Sequence, residues 1–94
     1  MKISLAPQQY FDLDGKPLVA GRLKIHLQGS DTLADTFILS GNDFVEGPNP
    51  VILDNAGEQQ NTIFMEAAIY DIEVEKLDNG QYAKISDFQF GFVM

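Results

Sequence analysis

Cysteine and tryptophan are missing from the 94 residues. Without cysteine there is neither a disulfide framework nor a thiolate metal site, so stability must come from the core or from a partner subunit. Lysine and arginine are missing from the whole middle of the chain: between Leu27 and Glu75 there are ten carboxylates and no basic residue. All six cations, Lys2, Lys16, Arg22, Lys24, Lys76 and Lys84, lie outside that stretch, and the net charge is −8. Nothing there offsets repulsion from a phosphate backbone, so no nucleic-acid partner is expected. The acidic stretch reads as solvated surface that keeps the protein soluble, or as a face for a basic protein partner. No apolar run approaches the roughly 20 residues of a membrane span. The opening MKISLAPQQYF also lacks the longer apolar region of a signal peptide. The chain is therefore expected to be made and used as a soluble protein, with no membrane partner.

The catalytic inventory is equally thin. There is a single histidine, His26, in an alternating stretch where it is expected on the surface beside Arg22 and Lys24. Ser30 and Ser40 lack the context of a G-x-S-x-G elbow. Asp12-Leu13-Asp14-Gly15 hints at a calcium loop, but glycine arrives too early and Lys16 follows, so a β-turn accounts for it better. Paired carboxylates for glycoside hydrolysis have no cleft-building length around them. No glycine-rich phosphate loop is present. The chain is not expected to be an enzyme, and no cofactor or metal is expected.

What is present is strand. Hydrophobic residues make up 45% of the chain, enough for a globular domain of this size. Gly21–Leu27 alternates, with Leu23, Ile25 and Leu27 on one face and Arg22, Lys24 and His26 on the other, the period of a half-buried strand. Ala68–Lys76 alternates again, with Tyr70, Ile72 and Val74 inward and Asp71, Glu73 and Glu75 outward. Asn79-Gly80 follows, the strongest short hairpin signal, and predicts a return strand over Gln81–Ser86. Shorter strands are expected at Asp35–Leu39, Val51–Leu53 and Asn61–Met65. Gly and Pro punctuate the gaps. The spacing predicts one all-β domain over 1–94, a small sandwich or partly open barrel of short antiparallel strands.

Two features go beyond local structure. Asp87–Val93 places Phe88, Phe90 and Phe92 on one face, either an inner face of the sheet or three rings directed at another subunit; left bare, such an edge invites association. The stretch Asn49-Pro50-Val51-Ile52-Leu53-Asp54-Asn55-Ala56-Gly57 pins an apolar triplet between two turn signals. It predicts a very short strand that lets the chain cross between sheets, with Asp54 and Asn55 bonding their own backbone and Gly57 at positive φ.

Taken in order, these motifs resemble the virion-anchoring, head-binding domains at the N-termini of bacteriophage tailspikes and tail fibres. The resemblance covers roughly Gln8 to Gln81. It rests on Tyr10-Phe11 with Asp14-Gly15-Lys16-Pro17-Leu18, on Ala20-Gly21 leading into Arg22–Leu27, and on Asn49–Gly57. Ile63-Phe64 and Tyr70-Asp71-Ile72-Glu73-Val74 before the Asn79-Gly80 turn complete it. It implies a homotrimeric connector, located in the virion, whose partners are portal, tail or capsid proteins and fibre subunits, and it implies no catalysis. The family's fibrous shaft does not follow within these residues, so the chain is expected to be either the base of a longer fibre or an adaptor that other subunits join. Arg22, Lys24, Phe88, Phe90 and Phe92 are the candidate subunit contacts, and Gly15, Pro50, Asp54, Asn55, Gly57, Asn79 and Gly80 the structural turns. A transthyretin-like or immunoglobulin-like module for adhesion or glycan binding is the alternative, since it also carries a Y-D-I-E-V strand before a hairpin.

Overall fold

The computed structural model describes residues 1–92. They form eight strands: β1 (Lys2–Leu5), β2 (Arg22–Leu27), β3 (Phe37–Ser40), β4 (Asp43–Glu46), β5 (Val51–Ile52), β6 (Ile63–Glu66), β7 (Ile69–Asp78) and β8 (Gln81–Gly91). Two antiparallel four-stranded sheets result, ordered β1-β6-β3-β4 and β5-β2-β7-β8. Ile3, Leu5, Ile63 and Met65 of the first sheet and Leu23, Ile25, Ile72 and Val74 of the second share one buried core. The all-β sandwich expected from the spacing is what the chain forms.

The alternating segments become the central strands of the second sheet, β2 and β7, paired along their length from Arg22↔Glu75 to Leu27↔Tyr70. Leu23, Ile25, Tyr70, Ile72 and Val74 point inward as their period requires. Three residues depart from it. Leu27 is 47% exposed and His26 only 4%, because the chain after β2 folds back over its end: Leu33 bridges to His26 and Ala34 N–H donates to the Ile25 carbonyl at 2.8 Å. His26 is therefore not a surface residue. Glu75, expected outside, is buried, with its carboxylate held by the Arg22 guanidinium.

The β7–β8 turn has Asn79 at φ 52° and Gly80 at φ 79°, the two positive values of a type I′ hairpin. The returning strand does not stop at Ser86. Gln81–Gly91 is one continuous strand, bent by an irregularity in register opposite Val74 and Glu75 that leaves Ile85 unpaired. Such a bulge re-aims a strand without ending it. Val93, the last residue of the predicted C-terminal strand, lies outside the described residues.

The chain leaves the first sheet after β4, pairs two residues with β2, and returns to the first sheet as β6. The chain bends at Asn49 and Pro50, and the Asn49-Pro50 bond is cis. Asn49 continues where β5 cannot: its Oδ1 accepts the Ile25 N–H at 3.1 Å, and its Nδ2 donates to the carbonyls of Ile25 and Ala34, each at 2.8 Å. Continuing the Leu23↔Val51 register places Asn49 opposite Ile25, so the side-chain amide stands in for a strand's backbone. At the other end, Asp54 Oδ1 accepts from Ala56 N at 2.8 Å and Glu58 N at 2.9 Å, and the Asp54 N–H donates to the Glu58 carbonyl at 3.0 Å. Asn55 takes no part in this closure.

The same loop occurs at Asp12, whose Oδ1 accepts from Asp14 N at 2.9 Å and Lys16 N at 3.0 Å, with its own N–H on the Lys16 carbonyl at 2.7 Å. The Lys16 amide above all, with the Asp14 amide and the Lys76 ammonium, holds the Asp12 carboxyl below the usual carboxylate range. Both loops need positive φ three residues after the aspartate, at Gly15 (79°) and Gly57 (72°). They differ in their surroundings. Tyr10 N–H donates to the Gly57 carbonyl and Leu18 N–H to the Tyr10 carbonyl, each at 2.9 Å, so the two loops lie against each other.

That difference yields a paired expectation. A Cβ at Gly57 would sit 2.6 Å from Leu18 N and 2.8 Å from the Tyr10 carbonyl oxygen, whereas one at Gly15 meets nothing within 4 Å. Gly57→Ala should lower stability in urea unfolding by about 3 kcal/mol or more, combining strain with a backbone clash, and Gly15→Ala by about 1 kcal/mol from strain alone. Equal losses would show that the close approach is relieved at no energetic cost.

Candidate interaction surfaces

On the outer face of the second sheet, charges lie in rows across the strands. The register aligns Arg22 with Glu75 and Lys84, and Lys24 with Glu73 and Asp87. Arg22 is not the free surface charge expected of a contact residue. Its Nε bonds Glu75 Oε1, and its guanidinium lies 4.0 Å from the Tyr82 ring centroid, while Tyr82 donates its hydroxyl to the Ala20 carbonyl at 3.0 Å. Lys24 is half-buried in this sheet face. Arg22 thus compensates a buried carboxylate.

A polar cleft of about 610 Å³ opens beside these rows, lined by Asp31, Asp71, Glu73, Lys84 and Asp87, with His26 at its base. His26 Nε2 lies 3.2 Å from Glu73 Oε1, yet neither ring nitrogen has a well-directed hydrogen bond. The nearby serine, Ser30, directs its Oγ to accept the Thr32 amide at 3.1 Å. No hydroxyl among the described residues is hydrogen-bonded to the imidazole. Among the described residues, no three His, Cys, Asp or Glu side chains are grouped to hold a metal ion.

The C-terminal phenylalanines separate. Phe88 and Phe90 lie opposite Ile72 and Tyr70 and pack half-buried against the core. Phe92 follows Gly91 beyond the end of β8 and is 47% exposed. With Phe90, Lys2, Ile3 and Ser4 it lines a groove of about 480 Å³ between the edge strands β1 and β8. The aromatic stripe is thus an inner face for two rings and an open wall for the third.

A second apolar surface lies on the outer face of the first sheet. Cross-strand pairing places Phe37, Phe64, Leu39 and Phe44 there together. Phe44 and Phe64 meet edge to face, 5.1 Å apart, an arrangement that ring quadrupoles favour. Lys2 Nζ lies over both Phe37 and Phe44, 4.8 and 4.7 Å from their centroids, and 3.1 Å from Glu66 Oε1. Leu39, Phe44 and Val45 remain exposed, and β4 is exposed at every residue. The sequence carried one readable signal for this hairpin: Gly41-Asn42 separates two short apolar runs, and a Gly-Asn pair between such runs marks a two-residue turn.

Compared with known proteins, the chain matches no family model, no curated protein and no solved structure.

Removing the Arg22 side chain should leave Glu75 buried without a cation. Arg22→Ala is therefore expected to destabilise the fold by about 2–4 kcal/mol in chemical denaturation, with Lys24→Ala within about 1 kcal/mol of the parent. A small effect for Arg22→Ala would return it to the class of ordinary surface cations.

Proposed function

We propose that this protein is a structural connector of a bacteriophage particle. In this reading it is an all-β anchoring or adaptor domain that assembles as a homotrimer in the virion. It joins a tail fibre, tailspike or head fibre to portal, tail or capsid proteins. The observation that carries the reading is the position of the segments behind the resemblance. Tyr10–Gly21 and Asn49–Gly57 clasp each other through backbone bonds, from Tyr10 N–H to the Gly57 carbonyl at 2.9 Å, Ala20 N–H to the Asp54 carbonyl at 3.0 Å and Leu53 N–H to the Gly21 carbonyl at 2.8 Å. A braced domain of this kind keeps its shape under load, while exposed apolar side chains on its sheet edges supply contact area. In such contacts buried apolar anchors supply affinity and charges supply register.

The glycan-binding or adhesion module remains the second reading. One observation favours it: Phe37, Phe44 and Phe64 cluster on one open sheet face, with Lys2 above the Phe37 and Phe44 rings.

Mass spectrometry of purified virions from the phage carrying this gene should find the chain as a stoichiometric component, in a copy number divisible by three, and a glycan array probed with the isolated protein should stay blank. Absence from the particle together with saturable glycan binding would replace the connector by the second reading.

A further inference from the structure

The two edges of the first sheet are complementary to each other. Among the described residues β1 pairs only with β6, in the register Lys2↔Glu66, Ile3↔Met65, Ser4↔Phe64 and Leu5↔Ile63. The residues of β6 that receive it are Ile-Phe-Met-Glu, and the opposite edge strand β4 reads Asp-Phe-Val-Glu. Phe44 and Glu46 occupy the outer face, as Phe64 and Glu66 do, and Val45 takes the inner face, as Met65 does. β4 therefore repeats, face for face, the side-chain order that β1 already pairs with, and β1 keeps its other backbone edge open to meet it. β4 is exposed along its whole length. It also runs antiparallel to the β1 direction, because three antiparallel pairings separate them.

We propose that β4 takes up β1 of a second copy of this chain, antiparallel and head to tail, with Glu46 opposite the partner subunit's Lys2. In this register Val45 lies opposite the partner subunit's Ile3 on the inner face and enters the groove walled by the partner's Phe90 and Phe92. Phe44 lies opposite the partner's Ser4 on the outer face. Each Lys2 then stands between its own Glu66 and the neighbour's Glu46. Charge favours this occupant over another β4: it sets Glu46 against a cation, the partner subunit's Lys2, whereas β4 paired with itself about Val45 sets Glu46 against Phe44 and brings no cation to the edge. A head-to-tail contact uses a different edge on each copy, so it closes into a ring when the rotation allows. The ring of three rests on the trimer of the connector reading, and this contact names the surfaces that make it.

The absence of cysteine permits a direct test on the purified chain. Lys2→Cys and Glu46→Cys variants are prepared separately, mixed and oxidised under mild conditions. The mixture should give a disulfide-linked dimer at several-fold the yield of either variant alone, since only unlike positions face each other. A second variant, Val45→Lys, sets a charge on the inner side of an exposed edge, a device that blocks strand addition without disturbing a monomer. With an unchanged circular dichroism spectrum, it should raise the concentration for half-dissociation by sedimentation about tenfold or more. The contact is overturned if the native chain sediments as a monomer at all concentrations, if either cysteine variant cross-links with itself as well as the mixture does, or if Val45→Lys leaves assembly unchanged. These readings are made in solution and do not depend on the virion assay, so the contact and the connector role can fail separately.

Discussion

The fold depends on side chains that complete backbone pairing where the strands are too short to do so. Asn49 is the clearest case. β5 pairs only two residues with β2, and the Ile25 N–H would face a bend without a partner, while its carbonyl would keep only the Ala34 N–H. The carboxamide supplies an acceptor and a donor to Ile25 and reaches the Ala34 carbonyl as well. Removing it would leave buried backbone groups unsatisfied, at about 1–3 kcal/mol each. Asp54 and Asp12 do the same for their loops, and the buried Gln59 does so at the end of the β1–β6 pair, donating to the Leu5 and Asn61 carbonyls at 2.9 and 2.8 Å. Tyr10 donates its hydroxyl to Gln59 Oε1 at 3.3 Å, and burial pushes its ionisation up to about 12.

This economy has a consequence for the surface. A chain of this length encloses a core only where both sheets face each other, and β3 and β4 reach past that overlap. Apart from Ile38, which packs against the core, their side chains pack on the outer face around Lys2 or remain at solvent. The bracing loops and the open sheet edges are thus two results of one constraint, too little chain to pair and cover every strand. The proposed connector role makes use of both, since a rigid domain with unsatisfied edges is suited to assembly with other subunits.

Much of the architecture is legible in the sequence because period two and turn chemistry are local. Leu23, Ile25, Ile72 and Val74 declare their face, Asn79-Gly80 declares its hairpin, and Gly57 declares positive φ between an apolar triplet and the next strand. What was not legible is long-range. The burial of His26 depends on a loop folding back from Leu33, and that of Glu75 on Arg22, 53 positions away. β1 and β4 are four residues each, too short for alternation to stand out, so the sheet edges and the Phe37, Phe44 and Phe64 cluster escaped notice. The Phe88–Phe90–Phe92 spacing predicts one strand face for three rings, and only Phe88 and Phe90 share it, because Gly91 at φ 110° ends the strand before Phe92. A turn is legible at Asp12–Gly15 and another at Asp54–Gly57, though only the structure shows that they share one geometry and that one is open to solvent and the other pressed against Leu18 and Tyr10.

The most direct test of the bracing account is native-state hydrogen exchange resolved by residue. If Asn49 and Asp54 act as strand partners, the Ile25 and Ala56 amides should exchange only with the global unfolding that releases the β7 amides. Asn49→Ala should free Ile25 from that limit while the β7 amides still exchange last. Exchange of the Ile25 and Ala56 amides at loop rates in the native protein would contradict the account.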